Sequence, residues 1–415
     1  MAFGGKRIAI TGLGAVSALG GSLESAWQAL MGGKGGISRH SIDASEFGPP
    51  AQDFLLARVC EDYDATLDAR LGRRIGPTLD PFARMALVPA LEALEQAGLR
   101  GDPILEDETA VIFGHGSGGL ETLETGYQRV YGQRSSRVHP ATVPRAMLSA
   151  GVSAVAMAFG VRGPVFAVSS ACASSAHAVL QGAAMIATGQ VKAAIVGGSE
   201  AMATPGSLYA WEAVRAMSKT GCRPFAEDRD GMVLGEGGAA MVLEDLEHAR
   251  ARGAPVLGEL IGAGMSSDAF NITQPSPAGQ ARAMRQAAQQ AEILERDDIL
   301  VSAHGTGTPL NDAAETQTLL EVFGDRGRRL PVIATKSAHG HVIGGSAVLQ
   351  AVLGLKALAD GRAPPVLNVT RPDPACDLDL VVGTARRIAS RILLQNAFAF
   401  GGLNVCLAFA GPDGA

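Results

Sequence analysis

The sequence predicts an α/β protein made of two similar strand-and-helix halves, and three observations carry that prediction. Short β-branched apolar runs, suited to buried strands, alternate along the chain with amphipathic segments of helical length. The order of elements beyond Gly253–Pro255 repeats the order before it, so we divide the chain into residues 1–253 and 254–415. With 415 residues, 47% of them hydrophobic and 18% charged, the chain can bury a core larger than that of one ordinary domain.

The elements follow in order. RIAITGLGAVSALG opens with a buried strand, and SLESAWQALMGG reads as a helix that starts at Ser22–Glu24 and sets Trp27, Leu30 and Met31 on one face. Residues 35–75 are polar and rich in turn formers. PFARMALVPALEALEQAG is a helix and TAVIFGHGSGG a strand, after which VFAVSSACASSAHAVLQGAAMIATGQ passes from a strand through small residues into a long Ala-rich helix. AAIVGGSE is a strand, and GEGGAAMVLEDLEHARARGAP is a strand and helix closed by Gly253 and Pro255. The second round comprises VLGELIGAGMSSD, the helix AGQARAMRQAAQQAEI, the strands ILVSAHGTG and PVIATKS, and the helix SAVLQAVLGLKALADG.

Composition removes several classes of function. A net charge of −6 gives no global attraction to nucleic acid or to an anionic membrane, though a local basic patch can still meet an acidic partner. The five cysteines, Cys60, Cys172, Cys222, Cys376 and Cys406, are scattered without CxxC spacing, which argues against a disulfide framework and a zinc site and favours a reducing cytoplasm. No apolar signal core is read near the N-terminus, and the apolar stretch from Ala146 to Gly160 is broken by Ser149, Gly151 and Ser153, so no membrane span is expected. TGLGAVSALGG invites a dinucleotide-binding reading through Gly12 and Gly14, but Ser17 stands where the third glycine belongs. Those glycines are expected to serve a tight strand-to-helix turn.

Three polar clusters sit at predicted strand ends, where ligands gather in α/β proteins. Cys172 lies at the start of a buried helix, whose free N–H groups favour the thiolate, and the thiolate is the nucleophile. In VSAHGTGTPLNDAAE, His304 precedes a loop of small residues that lets a ligand approach the backbone. In VIATKSAHGHVIGGSA, Lys336 ends a strand, with His339 and His341 close behind. Metal binding is the rival use of these histidines, but His339-x-His341 has too few accompanying carboxylates or cysteines to specify an ion.

KRIAITGLGAVSALG, RGPVFAVSSACASSAHA, RPFAEDRDGMVLGEG, AHGTGTPLNDAAE, TKSAHGHVIGG and NAFAFGGLN follow one another in a fixed order. Together they resemble the condensing enzymes of the thiolase fold, specifically the elongating β-ketoacyl-[acyl-carrier-protein] synthases, over essentially the whole chain. The resemblance implies a five-layered αβαβα fold and makes Cys172 the acyl-accepting nucleophile, with His304 and His341 supporting decarboxylation of a malonyl thioester. It makes Lys336 and Glu315 supporting charges, linked to each other and to the histidines. Phe400 becomes an aromatic gate whose backbone N–H forms an oxyanion hole with that of Cys172, and Phe398 of the same motif joins the substrate wall. Thr306 and Thr308 match pantetheine-binding positions. No metal or cofactor is implied.

The implied partners are acyl- and malonyl-carrier proteins, together with a second copy of the chain or a chain-length-factor subunit. Carrier proteins are acidic, so Arg70, Arg73, Arg74, Arg215 and Lys219 are candidates for docking them. A non-catalytic chain-length factor is a further reading, disfavoured by the presence of Cys172 with both histidines. Several residues depart from the family pattern: Ser117 where the depth of the acyl pocket is set, His115 beside it, Met232, Ala226, Ala399, Leu403, and Gln350 where many members carry a cation-binding Glu. These departures suggest a specialised synthase for polyene, polyketide or modified fatty-acyl chains, alongside ordinary fatty-acid elongation.

Overall fold

A computed structural model describes residues 3–43, 48–60, 63–72 and 78–412. Its central feature is an eleven-stranded sheet; the two-residue strand Asp379–Leu380 extends one edge, and the other ten strands we number in chain order. The first half supplies β1 (Ile8–Ser17), β2 (Thr109–Gly114), β3 (Val165–Val168), β4 (Ala193–Glu200) and β5 (Gly237–Asp245). The second supplies β6 (Gly258–Ser267), β7 (Ile299–Ser302), β8 (Pro331–Ile333), β9 (Ile392–Ala399) and β10 (Leu403–Ala410).

Within the first half the spatial order is β3-β2-β4-β5-β1, and within the second it is β8-β7-β9-β10-β6. Strand directions match as well. β3, β2 and β4 are parallel, as are β8, β7 and β9, and in each half the last two pairings are antiparallel. The two halves are therefore one topology used twice, and a short antiparallel pairing of Ile8–Ile10 with Gly258–Leu260 joins them. The helices Ser174–Ala187 and Ser346–Asp360 pack on each other and on strands of both halves, while Leu87–Ala97 covers β1 and β5, and Pro277–Gln290 covers β6 and β10. This is the five-layered αβαβα arrangement of the thiolase-like fold.

Gly12 and Gly14 do not make a strand-to-helix turn. They lie inside β1, beside a bulge after Ile10, and a Cβ there would fall 1.9 Å from the Ala93 oxygen and 2.1 Å from the Pro89 oxygen. Their role is to let the helix Leu87–Ala97 close on the sheet. The segment read as polar and turn-rich holds two paired strands, Ser38–Ile42 and Gln52–Ala57, and the helix Tyr63–Leu71. Both strands are short and polar on their outer face, so alternation is weak.

Two elements of the second half escape periodicity. The helix Pro309–Phe323 buries Asn311, Asp312, Glu315, Thr316 and Thr318 together with Ala314, Leu319 and Phe323, so polar residues interrupt the apolar stripe of its inward face. The hairpin of β9 and β10 is buried on both faces, which removes alternation. The stretch around Ala146–Gly160 forms the short helix Ser149–Phe159. Among the described residues one segment, Ile343–Asp360, is long and apolar enough to cross a membrane, but 83% of it is buried inside the fold as a core helix.

Candidate active site

The repeated topology places the site. Cys172 follows β3 and the Lys336–His341 segment follows β8, so nucleophile and histidine occupy equivalent places in the two halves. His304 follows β7 as His115 follows β2, and HGTG at 304–307 echoes HGSG at 115–118.

After β3 the chain turns through Ala171, whose φ of 50° is a left-handed conformation tolerated by a small side chain. A single 3₁₀ turn, Ala171–Ala173, then leads into the helix Ser174–Ala187. The Ser170 N–H donates to Ser174 Oγ at 2.8 Å, which in turn donates to the Ala171 oxygen at 2.6 Å. Small residues let this segment run against β2: a Cβ on Gly114 would lie 2.1 Å from the Ser174 carbonyl carbon.

Cys172 Sγ lies 3.1 Å from His341 Nε2. His341 Nδ1 accepts from the Ile343 N–H at 3.1 Å and lies 2.8 Å from Ser346 Oγ. A nitrogen that accepts a backbone N–H carries no proton, so the imidazole proton sits on Nε2, aimed at the sulfur. The His341 backbone is pinned as well, since its N–H donates to the Val233 oxygen at 2.7 Å and its oxygen accepts from Gly235 at 2.9 Å.

His304 reaches the same tautomer by another route. Lys336 Nζ donates to the His304 carbonyl at 2.5 Å, to Gln350 Oε1 at 2.6 Å, and faces His304 Nδ1 at 3.4 Å. An ammonium can only donate, so His304 also carries its proton on Nε2. Burial, reinforced by the Lys336 charge, pushes both imidazoles well below their ordinary pKa and keeps them neutral. Cys172 Sγ and one ring nitrogen of each histidine lie within 4.8 Å of one another. With protons on both inward nitrogens and an ammonium behind them, this triangle is built to receive an oxygen bearing negative charge rather than a cation.

Glu315 is linked to His304 as expected, but to Lys336 through charge and not through a hydrogen bond of its own: the contact it makes with His304 is with backbone. Its carboxylate accepts from the His304 and Gly305 N–H groups at 2.7 and 2.9 Å and from Asn396 Nδ2 at 2.9 Å. It fixes the His304 backbone, and the partner of Lys336 is Gln350, whose Nε2 donates to the Ala303 oxygen at 2.6 Å. In the sequence Gln350 stands out only as a departure from the family pattern; its further signal is that it is the one amide among the apolar residues 347–355. Glu200, which closes β4, was also missed. It is fully buried and takes N–H donors from Gly116, Ser117 and Gly344, tying the first-half loop to the turn after His341.

The thiol does not follow the helix-terminus expectation. Burial pushes Cys172 up to about 11, and the opposing Lys336 charge and the backbone N–H groups of Phe400 and Cys172 do not overcome it. Those two N–H groups nevertheless face the sulfur, as an oxyanion hole requires.

A cavity of about 360 Å³ opens on Cys172, His304 and His341 and is lined by Thr306, Thr308, Met232, Phe398, Phe400 and Trp211, with Arg215 at its edge. Thr306 and Thr308 are paired through their hydroxyls at 2.8 Å. Ser117 is not among the lining residues; its N–H is held by Glu200 at 3.2 Å. His339 is turned away, 2.9 Å from Thr335 in the core. Of the basic docking candidates, Arg70 is bound to Glu92 and Glu95 at 3.3 and 2.6 Å and so serves the fold, whereas Lys219 is largely exposed, 3.5 Å from Glu212. Arg73 and Arg74 lie outside the described residues.

Comparison with known proteins agrees with this geometry. Residues 5–249 match the β-ketoacyl synthase N-terminal domain and residues 257–370 its C-terminal domain. The chain is 37% identical over 404 residues to nodulation protein E of Rhizobium sp., covering 97% of this chain and 99% of that one. It is 36% identical over 413 residues to 3-oxoacyl-[acyl-carrier-protein] synthase 2 of Synechocystis sp., covering 97% and 98%. Among solved structures it superposes on the ishigamide ketosynthase/chain length factor with a TM-score of 0.90 at 28% identity, covering 98% and 99%. A repeated half, a thiol facing two inward imidazole protons, and matches across both halves place this chain in the β-ketoacyl synthase family.

Proposed function

We propose that the protein is an elongating β-ketoacyl-[acyl-carrier-protein] synthase that joins an acyl chain to a two-carbon unit from a malonyl thioester. The observation that carries this reading is the pair of Nε2–H donors from His304 and His341 converging beside Cys172 Sγ. In the first step the sulfur attacks the acyl thioester carbonyl, the pantetheine thiol departs with the proton lost from Cys172, and an acyl-enzyme remains. The Phe400 and Cys172 N–H groups hold the tetrahedral oxyanion.

In the second step a malonyl thioester, its pantetheine arm beside Thr306 and Thr308, loses carbon dioxide. The electron pair of the broken C–C bond moves onto the thioester oxygen, where two Nε2–H groups meet it. The enolate carbon then attacks the acyl-Cys172 carbonyl and expels the thiolate, giving a β-ketoacyl chain two carbons longer. This sequence needs no redox group: the pantetheine C–S bond is exchanged for a Cys172 C–S bond, the C–C bond to the malonyl carboxylate breaks to release carbon dioxide, and a new C–C bond replaces the Cys172 C–S bond, whose thiolate takes a proton from water.

A second reading makes the chain the catalytic subunit of a pair with a chain-length factor, as the name of the superposed ishigamide protein describes for that system. For either partner, the free edge of the large sheet at β3, with Phe166 partly exposed and Met157 exposed on the neighbouring helix, supplies an apolar pairing surface. A nucleophilic thiol favours the reducing cytoplasm. Product profiling with malonyl-carrier and a panel of acyl primers tests the reading: chains longer by two carbons are expected, and consumption of malonyl-carrier without extension of any primer overturns it.

A further inference from the structure

Trp211 lines the cavity with Cys172, and its ring is stacked on that of Phe400, the centroids 6.0 Å apart and the planes 25° from parallel. The pairing links the indole to the residue whose backbone N–H faces the nucleophile. Phe400 is followed by Gly401 and Gly402 at φ of 82° and 68°, so the ring hangs from a segment whose conformation suits glycine alone. Val214, Ile272 and Leu310 complete an apolar surround at the same opening. An acyl chain that takes the place of the Phe400 ring therefore meets the face of an indole, and that face rewards a flat partner.

We propose that Trp211 is a specificity-determining residue that selects acyl chains planar through conjugation over saturated chains of equal length. The inference rests on the synthase reading above. A conjugated dienoyl or polyenoyl chain presents a π-face that stacks on the indole and takes over from the Phe400 ring when that ring swings aside. A saturated chain staggers its carbons and touches the indole with a few hydrogens only.

Competition between hexanoyl- and hexa-2,4-dienoyl-carrier protein for Cys172, read by intact-protein mass, tests the proposal. The native chain is expected to load the dienoyl group about three- to tenfold faster, Trp211→Leu to bring the ratio within twofold of unity, and Trp211→Phe to keep part of the preference. Because the readout is a ratio within one sample, partial loss of folded protein does not alter it. A second readout uses fluorescence. The chain has two tryptophans, and Trp27 is buried with its N–H on Asp360, so acyl-dependent quenching belongs to Trp211 and should follow the dienoyl but not the hexanoyl group. Equal loading of both chains by the native protein, or an unchanged ratio in Trp211→Leu, overturns the proposal while leaving the synthase reading intact. Failure of every carrier to load Cys172 overturns the synthase reading and this inference with it.

Discussion

Replacing Lys336 by Met isolates the tautomer of His304 from the rest of the site. The ammonium lies 2.5 Å from the His304 carbonyl and 2.6 Å from Gln350 Oε1, and faces Nδ1 at 3.4 Å. Without it Nδ1 is free to hold the proton, Nε2 turns from donor to acceptor, and one of the two enolate donors disappears. Removal of a single oxyanion donor costs about 2.7–4 kcal/mol, or roughly 10²–10³ in rate. Stability changes less. Two buried acceptors go unpaired at about 1–3 kcal/mol each, but a buried ammonium drawn down to about 8 from 10.5 is also removed, which returns about 3 kcal/mol. The assay is carbon dioxide release from malonyl-carrier beside acyl loading of Cys172 by mass. Decarboxylation should fall by roughly 10²–10³ and loading by much less. Release within threefold of native, or equal loss in both steps, refutes the tautomer argument.

Two other outcomes follow from packing and charge. His115 is fully buried between Phe82 and Phe113, with Nδ1 2.9 Å from the Ser199 oxygen and Nε2 unpartnered, and burial lowers it to about 4. A depressed imidazole contributes stability above its unfolded value of 6.5 and loses it as pH falls toward 4, a loss of about 1 kcal/mol by pH 5.5. His115→Phe should therefore unfold about 1 kcal/mol more easily than native at pH 8 and lose that deficit at pH 5.5; a gap in urea titrations that ignores pH contradicts this. Gly114→Ala sets a Cβ 2.1 Å from the Ser174 carbonyl carbon and 2.2 Å from the Ser175 nitrogen, both backbone, so the helix behind Cys172 must shift. Acylation should drop by about 10² with a stability loss of about 1–3 kcal/mol, and native acylation rates would show that the helix start is not tightly held.

How much of this was legible depended on whether neighbours in sequence are neighbours in space. Cys172, His304 and Lys336 each follow closely on a strand and sit beside small residues, with His341 a short turn beyond Lys336, so their local setting marked them, and ordered motifs joined them into one site. The repeat of halves was visible as an order of elements, but the matching strand order needed the hydrogen bonds. Gln350 under Lys336, Asn396 behind Glu315 and Glu200 across the two loops all bridge residues far apart in the chain. No spacing rule reveals such pairs. The thiol was misjudged for a related reason: a helix start is local and readable, whereas the burial that outweighs it is a property of the whole fold. Trp211 sits in a helix with no distinguishing pattern, because its significance lies in a ring 189 residues away, that of Phe400.

The central claim is that Cys172 carries the acyl group while two imidazole protons generate the attacking carbon from a malonyl thioester. It is tested most directly by following one sample through both half-reactions by intact-protein and peptide mass. Acyl-carrier alone should acylate the native chain once, on the peptide holding Cys172, and Cys172→Ala should show no adduct. Adding malonyl-carrier should then discharge the adduct and yield a carrier-bound product longer by two carbons. An adduct that persists on another residue in Cys172→Ala, or an acyl-Cys172 that malonyl-carrier cannot discharge, would contradict the account.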